Sequence, residues 1–161
     1  YDHFGSMSED SLLNVIRTYA KSFDCKWIVL DHLSIVVSDQ DGILDERKAI
    51  DAIMTNVRKI VRETGIGLFL ISHLKRPQGK AHEEGGQVSL SELRGSAAIA
   101  QLSDIVIGLE RNQQDDDPIS RNQTTLRVIK NRFSGLTGKA CRLQYDSETG
   151  RLSEVLDEGF F

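Results

Sequence analysis

Lys26-Trp27-Ile28-Val29-Leu30-Asp31-His32-Leu33-Ser34-Ile35-Val36-Val37 is the stretch on which the fold turns. It is a β-branched apolar run interrupted by one carboxylate, with little of the alternation that marks a half-solvated strand. Runs of this kind are typical of strands in parallel sheets with both faces covered. A second run, Ile66-Gly67-Leu68-Phe69-Leu70-Ile71-Ser72, has the same character. Between them, residues 45–64 place Ile50, Ile53, Met54, Val57, Ile60 and Val61 at helical spacing. Residues 38–44 form a polar connection into that helix, and Gly65 suits its end, since glycine accepts the left-handed cap conformation. Strand, helix, strand in this order is what parallel pairing requires.

Working outward, residues 8–23 predict an amphipathic helix through Leu12, Leu13, Val15, Ile16, Tyr19, Ala20 and Phe23. Residues 74–88 are polar, rich in glycine and charge, and predict a loop. Ser89 or Ser91 can cap a helix running to about residue 102, and Ser89-Leu90-Ser91-Glu92 fits a capping box. Residues 104–110 read as a third parallel strand, and residues 112–123 as a polar loop. Antiparallel strands are expected over 124–131, 139–146 and 151–155, with Gly135, Gly138 and Gly150 in the turns. The expected class is α/β: a mostly parallel sheet flanked by helices that ends in an antiparallel hairpin.

The bulk numbers bound the function. At 161 residues, with 39% hydrophobic and 27% charged side chains, the chain suits one α/β domain or a large piece of one. No apolar run approaches the roughly 18 residues that span a bilayer, and no signal-peptide pattern opens the chain. A net charge of −4 excludes attraction of the whole molecule to nucleic acid, so any DNA contact must come from local basic loops. Cys25 and Cys141 give neither a disulfide framework nor a zinc motif, and read as buried free thiols in a reducing compartment. Tyr1-Asp2-His3-Phe4 resembles the tail of an interrupted strand, so the chain is expected to begin inside a domain. Residues 156–161 are expected to form a flexible tail.

Four constellations can carry chemistry. Asp31 ends a predicted strand, and ligands of open α/β sheets bind outside the carboxyl ends of strands. A carboxylate there can hold a hydrated Mg²⁺ beside a nucleotide, although any buried strand can end in Asp. His73 ends the next strand and would emerge beside Asp31, where it can sense a terminal phosphate or simply be satisfied at a strand end. Lys75, Arg76 and Lys80 follow at once, and flexible cations suit phosphate backbones. In Ser91–Asp104, a Gly-Ser-Ala-Ala stretch allows close helix packing and Gln101 can face nucleotide or DNA. Lys130 and Arg132 lie two apart at a strand end, on one face, where two cations can stabilise charge on a transferring phosphoryl group. Surface basic residues are the plain alternative for both lysine–arginine groups.

Taken together, in this order and at this spacing, these pieces resemble the C-terminal helicase part of the primase-helicases of T-seven-type bacteriophages. The chain is more distantly similar to the mitochondrial Twinkle helicase and the bacterial DnaB family. The resemblance runs from Tyr1-Asp2 to about Leu152 and is carried by IVLDHLSIVVS, DERKAID, ISHLK, GKAHEEG, LRGSAAIAQLSD, LERNQQ, KNRFSG and YDSETG. It implies a partial RecA-like motor domain over residues 1–161, assembling as a hexameric ring around single-stranded DNA and moving 5′ to 3′ by hydrolysing an NTP, ATP or dTTP, with Mg²⁺. It matches Asp31 to the Walker B aspartate and metal ligand, and His73 to the phosphate-sensing histidine. Lys75 and Lys80 match the central DNA-binding loop, with Arg76 among them. Arg94 and Gln101 fall in the motif that links DNA contact to the nucleotide. Arg132 matches the arginine finger with Lys130 its companion, and Arg111 and Tyr145 match residues that flank the base.

No G-x-x-x-x-G-K-[ST] phosphate loop occurs in the chain. The resemblance places that loop, the water-activating glutamate, the linker helix and a primase domain upstream, so the chain alone is expected to be a poor ATPase. The relatives often carry a basic residue where Ala100 stands, and the loop around Pro77-Gln78-Gly79 is one residue shorter here. A replicative DNA polymerase is a further implied partner. The implied setting is the cytoplasm of a bacterial host of a virus, ahead of a mitochondrion. Two other readings differ in class. One is a non-catalytic module that binds single-stranded DNA or joins a partner ring. The other is a metal-dependent phosphohydrolase using Asp31, His32 and His73 with His82, although strand alternation would turn His32 away from Asp31.

Overall fold

A computed structural model describes residues 8–33, 43–77, 79–94 and 97–155. The expectations for residues 1–4, 34–42 and 156–161 therefore lie outside the described residues. The chain divides into two compact units, Tyr1–Leu74 with Leu93–Leu102 and Lys75–Glu92 with Ser103–Phe161.

The first unit is built on the predicted strand–helix–strand. Helix α1 spans Glu9–Lys21, strand β1 Trp27–Leu30, helix α2 Ile43–Thr64, strand β2 Gly67–Leu70 and helix α3 Ala97–Leu102. Ser8 caps α1 by accepting the Ser11 N–H. Glu9 and Asp10 in its first turn and Lys21 in its last suit the helix dipole. Gly65, at φ +74°, closes α2 as its sequence position predicts. Leu12, Leu13 and Ile16 of α1 meet Ile50, Ile53, Met54, Val57 and Ile60 of α2 in one buried cluster. Each such side chain contributes roughly 1.5–3 kcal/mol on burial. Asn56 Nδ2 donates to Glu9 Oε1 at 2.6 Å and ties the two helices together at the edge of that cluster.

Strands β1 and β2 pair in parallel, with Trp27 opposite Gly67 and Leu30 opposite Leu70. Ile28, Leu30, Leu68 and Leu70 pack on the core. The opposite face is bare among the described residues: Trp27 is 69% exposed, Val29 64% and Phe69 55%. Burial on both faces, expected from the sequence, is thus found on one. The Trp27 ring lies over Gly67, where an added Cβ would collide with it, and stacks at 5.5 Å from Phe69.

The helix expected from Ser89 to 102 is broken. A single 3-10 turn covers Leu90–Glu92, and α3 begins only at Ala97. Half of the capping box forms, with Ser89 N–H donating to Glu92 Oε2 at 2.7 Å while the Glu92 N–H bonds to the Ser89 carbonyl, and it serves that one turn.

The second unit is a four-stranded antiparallel sheet in the order β3-β4-β5-β6, over Ile105–Glu110, Gln123–Asn131, Gly138–Tyr145 and Leu152–Val155. Residues 105–110, expected to be a third parallel strand, instead pair antiparallel with β4. The apolar pattern of such a run is the same for either direction, so pairing had to be decided by the partner strand. Among the described strands, one pairing is parallel and three are antiparallel, so the α/β chain carries both a parallel and an antiparallel sheet. A short helix α4, Pro118–Arg121, sits inside the predicted loop 112–123. Asp117 caps it and Pro118 occupies its first turn, a start signal legible in Asp-Pro. Cys25 and Cys141 are free, as expected, but half-buried rather than buried.

Candidate functional site

Parallel pairing sends the chains of β1 and β2 out at the same sheet edge. The ladder continues past both strands, with Ile71 N–H donating to Leu30 O at 2.9 Å and Leu33 N–H to Ile71 O at 3.1 Å. Asp31 and His73 therefore both leave at the carboxyl edge, and both are exposed. The ring of His32 meets that of His73, with centroids 4.4 Å apart in an edge-to-face arrangement. His32 Nδ1 is buried with no hydrogen-bond partner among the described residues. The sequence reading turned His32 away from Asp31 and did not anticipate its contact with His73.

Arg94 is joined to this edge through the backbone. Its N–H donates to His73 O at 3.0 Å, and Leu74 and Leu93 form an antiparallel bridge beside it. Gln101 is on the exposed side of α3, next to a face that Ile99 buries in the core. Asp31, His73, Arg94 and Gln101 thus share the first unit.

The other expected residues belong to the second unit: Lys75, Arg76, Lys80, Arg111, Lys130, Arg132 and Tyr145. Lys75, Arg76 and Lys80 are exposed. Lys75 is anchored through its N–H, which donates to Glu92 O at 2.7 Å. Lys130 and Arg132 reach neighbouring residues: Lys130 Nζ donates to Ser103 O at 2.8 Å, and Arg132 Nη1 meets Asp104 Oδ1 at 3.2 Å. Arg132 N–H also donates to Asp104 O at 2.8 Å. The two cations thus bond to consecutive residues, with Asp104 as counter-charge to the arginine.

Arg111 and Tyr145 meet at Asn122. Asn122 Oδ1 accepts from Arg111 Nη2 at 3.0 Å, and Asn122 O accepts the Tyr145 N–H at 2.9 Å. Arg111 Nε is held by Arg121 O at 2.7 Å, so its guanidinium is oriented from two sides. A polar cavity of about 330 Å³ adjoins it, lined by Arg111, Asn112, Gln123, Arg127 and Arg142 among others. Asn122, Asp104 and Glu110 were missed by the sequence reading. Glu110 carried no signal in sequence, because its approach to Arg127 depends on the antiparallel register that pairs Gly108 with Arg127. Among the described residues no three His, Cys, Asp or Glu gather as a metal cluster, so the phosphohydrolase reading finds no support there.

A parallel strand–helix–strand unit in a mixed α/β chain is the framework of the RecA-like class of fold. The chain belongs to the DnaB-like helicase C terminal domain family, whose profile matches residues 2–154. It is 48% identical over 153 residues to the "DNA helicase/primase" of Enterobacteria phage T3, covering 94% of this chain and 26% of that protein. It is 29% identical over 102 residues to the "Replicative DNA helicase DnaB" of Treponema pallidum, covering 63% of this chain and 20% of that one. A solved structure described as a DnaB-like replicative helicase and its interactions with primase shares the fold, with a TM-score of 0.72 at 23% identity over 94% of this chain and 36% of that chain. The chain thus spans about a quarter of the phage relative. No helix among the described residues is long and apolar enough to cross a membrane.

Proposed function

We propose that this chain is the later part of the motor domain of a hexameric, NTP-driven replicative helicase that moves 5′ to 3′ on single-stranded DNA. The observation that carries this reading is the parallel register that delivers Asp31 and His73 to one edge. Support comes from the family and from the phage relative named a helicase/primase. In this reading the nucleotide, ATP or dTTP, lies against that edge. His73 senses its terminal phosphate. Arg94, bonded to the His73 backbone, and Gln101 carry that state toward the DNA contacts. Lys75, Arg76 and Lys80 hold the strand's phosphates. Arg111 and Tyr145 flank the base, and Arg132 with Lys130 serves the nucleotide of a neighbouring subunit.

Asp31 fits a Mg²⁺ ion in a specific way. It is an exposed carboxylate, and no three His, Cys, Asp or Glu gather as a metal cluster among the described residues. Mg²⁺ dehydrates reluctantly and binds through one or two carboxylates plus phosphates. When bound, it would neutralise charge on the phosphate oxygens. A primase domain and a replicative polymerase are the proposed partners beyond the ring, and a phage-infected bacterial cytoplasm the proposed setting.

Two measurements test this reading. The 161-residue chain should bind fluorescent oligo-dT with an affinity that falls steeply with salt, and Lys75→Ala with Lys80→Ala should abolish it. Unchanged binding by the double variant would remove the loop assignment. Nucleotide turnover by this polypeptide should be negligible. Robust Mg²⁺-dependent turnover would contradict the view that the phosphate cradle and the catalytic base come from elsewhere.

A further inference from the structure

We propose that Glu110 is a positioning residue that latches the basic loop after His73 to strand β4, so that DNA contact at Lys75 and Lys80 is transmitted to Lys130 and Arg132 at that strand's end. The proposal rests on the helicase reading above and adds to it the residue that joins two of its parts.

The loop leaves β2, yet residues Lys75–Glu92 group with the antiparallel sheet and not with the strand from which they emerge. A polar, glycine-rich loop has little apolar surface to hold it in place, so specific bonds must do so. Glu110 supplies the central one. Its Oε1 accepts the Val88 N–H at 2.9 Å and Arg127 Nε at 2.8 Å. The Glu110 side chain is 7% exposed and that of Arg127 24%, so the pair sits where water screens it poorly. The hydrogen bond to Glu110 raises the Arg127 pKa, against the opposing effect of burial. Val88 itself is buried over Gly108, whose missing Cβ makes room for it.

Nearby bonds make the second half of the loop stiff. Gln113 N–H donates to Glu83 O at 2.7 Å, and Glu84 bridges Asn112. Ala81 O accepts from both Glu84 N–H and Gly86 N–H. Carbonyls of Lys80 and Ala81 occupy the space a Cβ on Gly86 would need. Residues 81–88 are therefore a compact knot seated on β3, and Lys80 adjoins it. From Arg127, strand β4 runs directly to Lys130 and Asn131. A carboxylate that grips the knot on one side and β4 on the other provides a short covalent and hydrogen-bonded route between the two basic groups. Removing Glu110 leaves both groups in place, along with the backbone bonds at Glu83 and Glu84, and takes away the one side-chain link among the described residues that grips the loop and β4 together.

The test uses the isotope-labelled 161-residue chain, oligo-dT and two single variants of opposite charge change, Glu110→Gln and Arg127→Gln. In the wild type, oligo-dT should shift amide resonances at 75–80 and also at 130–132. In both variants the shifts at 75–80 should persist with affinity within about threefold of wild type, while those at 130–132 vanish. A role in stability alone would leave the remote shifts intact in the folded fraction. Amide exchange without DNA gives an independent readout: residues 81–88 should exchange roughly 10- to 100-fold faster in Glu110→Gln, with β1 and β2 unchanged. Unaltered exchange there overturns the latch even if DNA binds as expected. Remote shifts that survive in both variants overturn the transmission. Failure of the wild type to bind oligo-dT with exchange behaving as stated would instead sink the helicase reading of the loop, and with it the transmission role. Should a single variant unfold, Glu110→Met with Arg127→Met removes both charges at similar volume, and the same loss of remote shifts is expected.

Discussion

In the first unit, α1 and α2 press a continuous apolar cluster against one face of a parallel pair, with Ile60 fully buried and Ile53 nearly so. In the second, a sheet of four antiparallel strands is held by ion pairs and capped turns, and its side chains in β4 are all half-buried rather than buried. The chemistry divides along the same line. The residues expected to read phosphate, Asp31 and His73, are placed by backbone pairing over an apolar core. The residues of the second unit expected to contact DNA, base and neighbour are placed by individual hydrogen bonds, through side chains at Arg111, Lys130 and Arg132 and through the backbone at Lys75 and Tyr145. Dispersion over a packed core is insensitive to any one polar group, whereas a bonded network can be broken one residue at a time. The first arrangement suits a fixed platform, and the second suits parts that must respond.

Several changes would break or sharpen that contrast. Ile60→Ala removes a fully buried side chain and should cost about 2–5 kcal/mol. Urea denaturation followed by amide resonances should show α1, α2, β1 and β2 lost first. Simultaneous loss of β4 and β5 would mean that the two units do not differ in what holds them. Gly67→Ala should cost about 1–2 kcal/mol at most, because the Trp27 ring it meets is 69% exposed and can turn aside. Trp27 is the sole tryptophan, so an altered emission spectrum reports it directly. An unmoved spectrum would show that the ring does not lie over Gly67.

A smaller effect is expected at the α1 cap. Ser8→Ala removes the acceptor for the Ser11 N–H and should lower stability by about 1 kcal/mol, read as a shift in the urea midpoint. The mildest change concerns acid. Asp117 is held below its usual 3.8 chiefly by the Ser120 hydroxyl, then by the Ser120 and Ile119 amides. Asp146 is held below it by the Glu148 and Thr149 amides and the Thr149 hydroxyl. Carboxylates with depressed pKa contribute stability above the unfolded value and lose it as pH falls through the folded one. Acid titration below about pH 4 should therefore release the amides of Ile119, Ser120, Glu148 and Thr149 in the second unit. Resonances there that stay constant down to acid unfolding would show those turns to be held by something else.

Much of this arrangement was legible beforehand. Helix α2 could be read from Ile50, Ile53, Met54, Val57 and Ile60, because a 3.6-residue period records which face is buried. The parallel pair followed from the helix between its strands, and so did the shared edge for Asp31 and His73. The Lys130–Arg132 pair was expected from alternation, but β4 ends at Asn131 and Arg132 lies in the turn beyond it, where it bonds to Asp104. Less was legible where the answer depended on a distant partner. The run Ile105–Glu110 carries no mark of the direction in which its neighbour will travel. The bare face of Val29 and Phe69 looks, in sequence, like a covered one.

The sequence by itself determined local periodicity, caps and chain order, and hence the strand–helix–strand unit and the residues at its edge. These follow from spacing within one segment, which local sterics and burial decide. Only the tertiary structure decided that β3 joins the antiparallel sheet, that Asn122 gathers Arg111 and Tyr145, and that Glu110 grips both Val88 and Arg127. Those are contacts between segments far apart in the chain, and a hydrogen bond across such a separation leaves no periodic trace in the residues that make it.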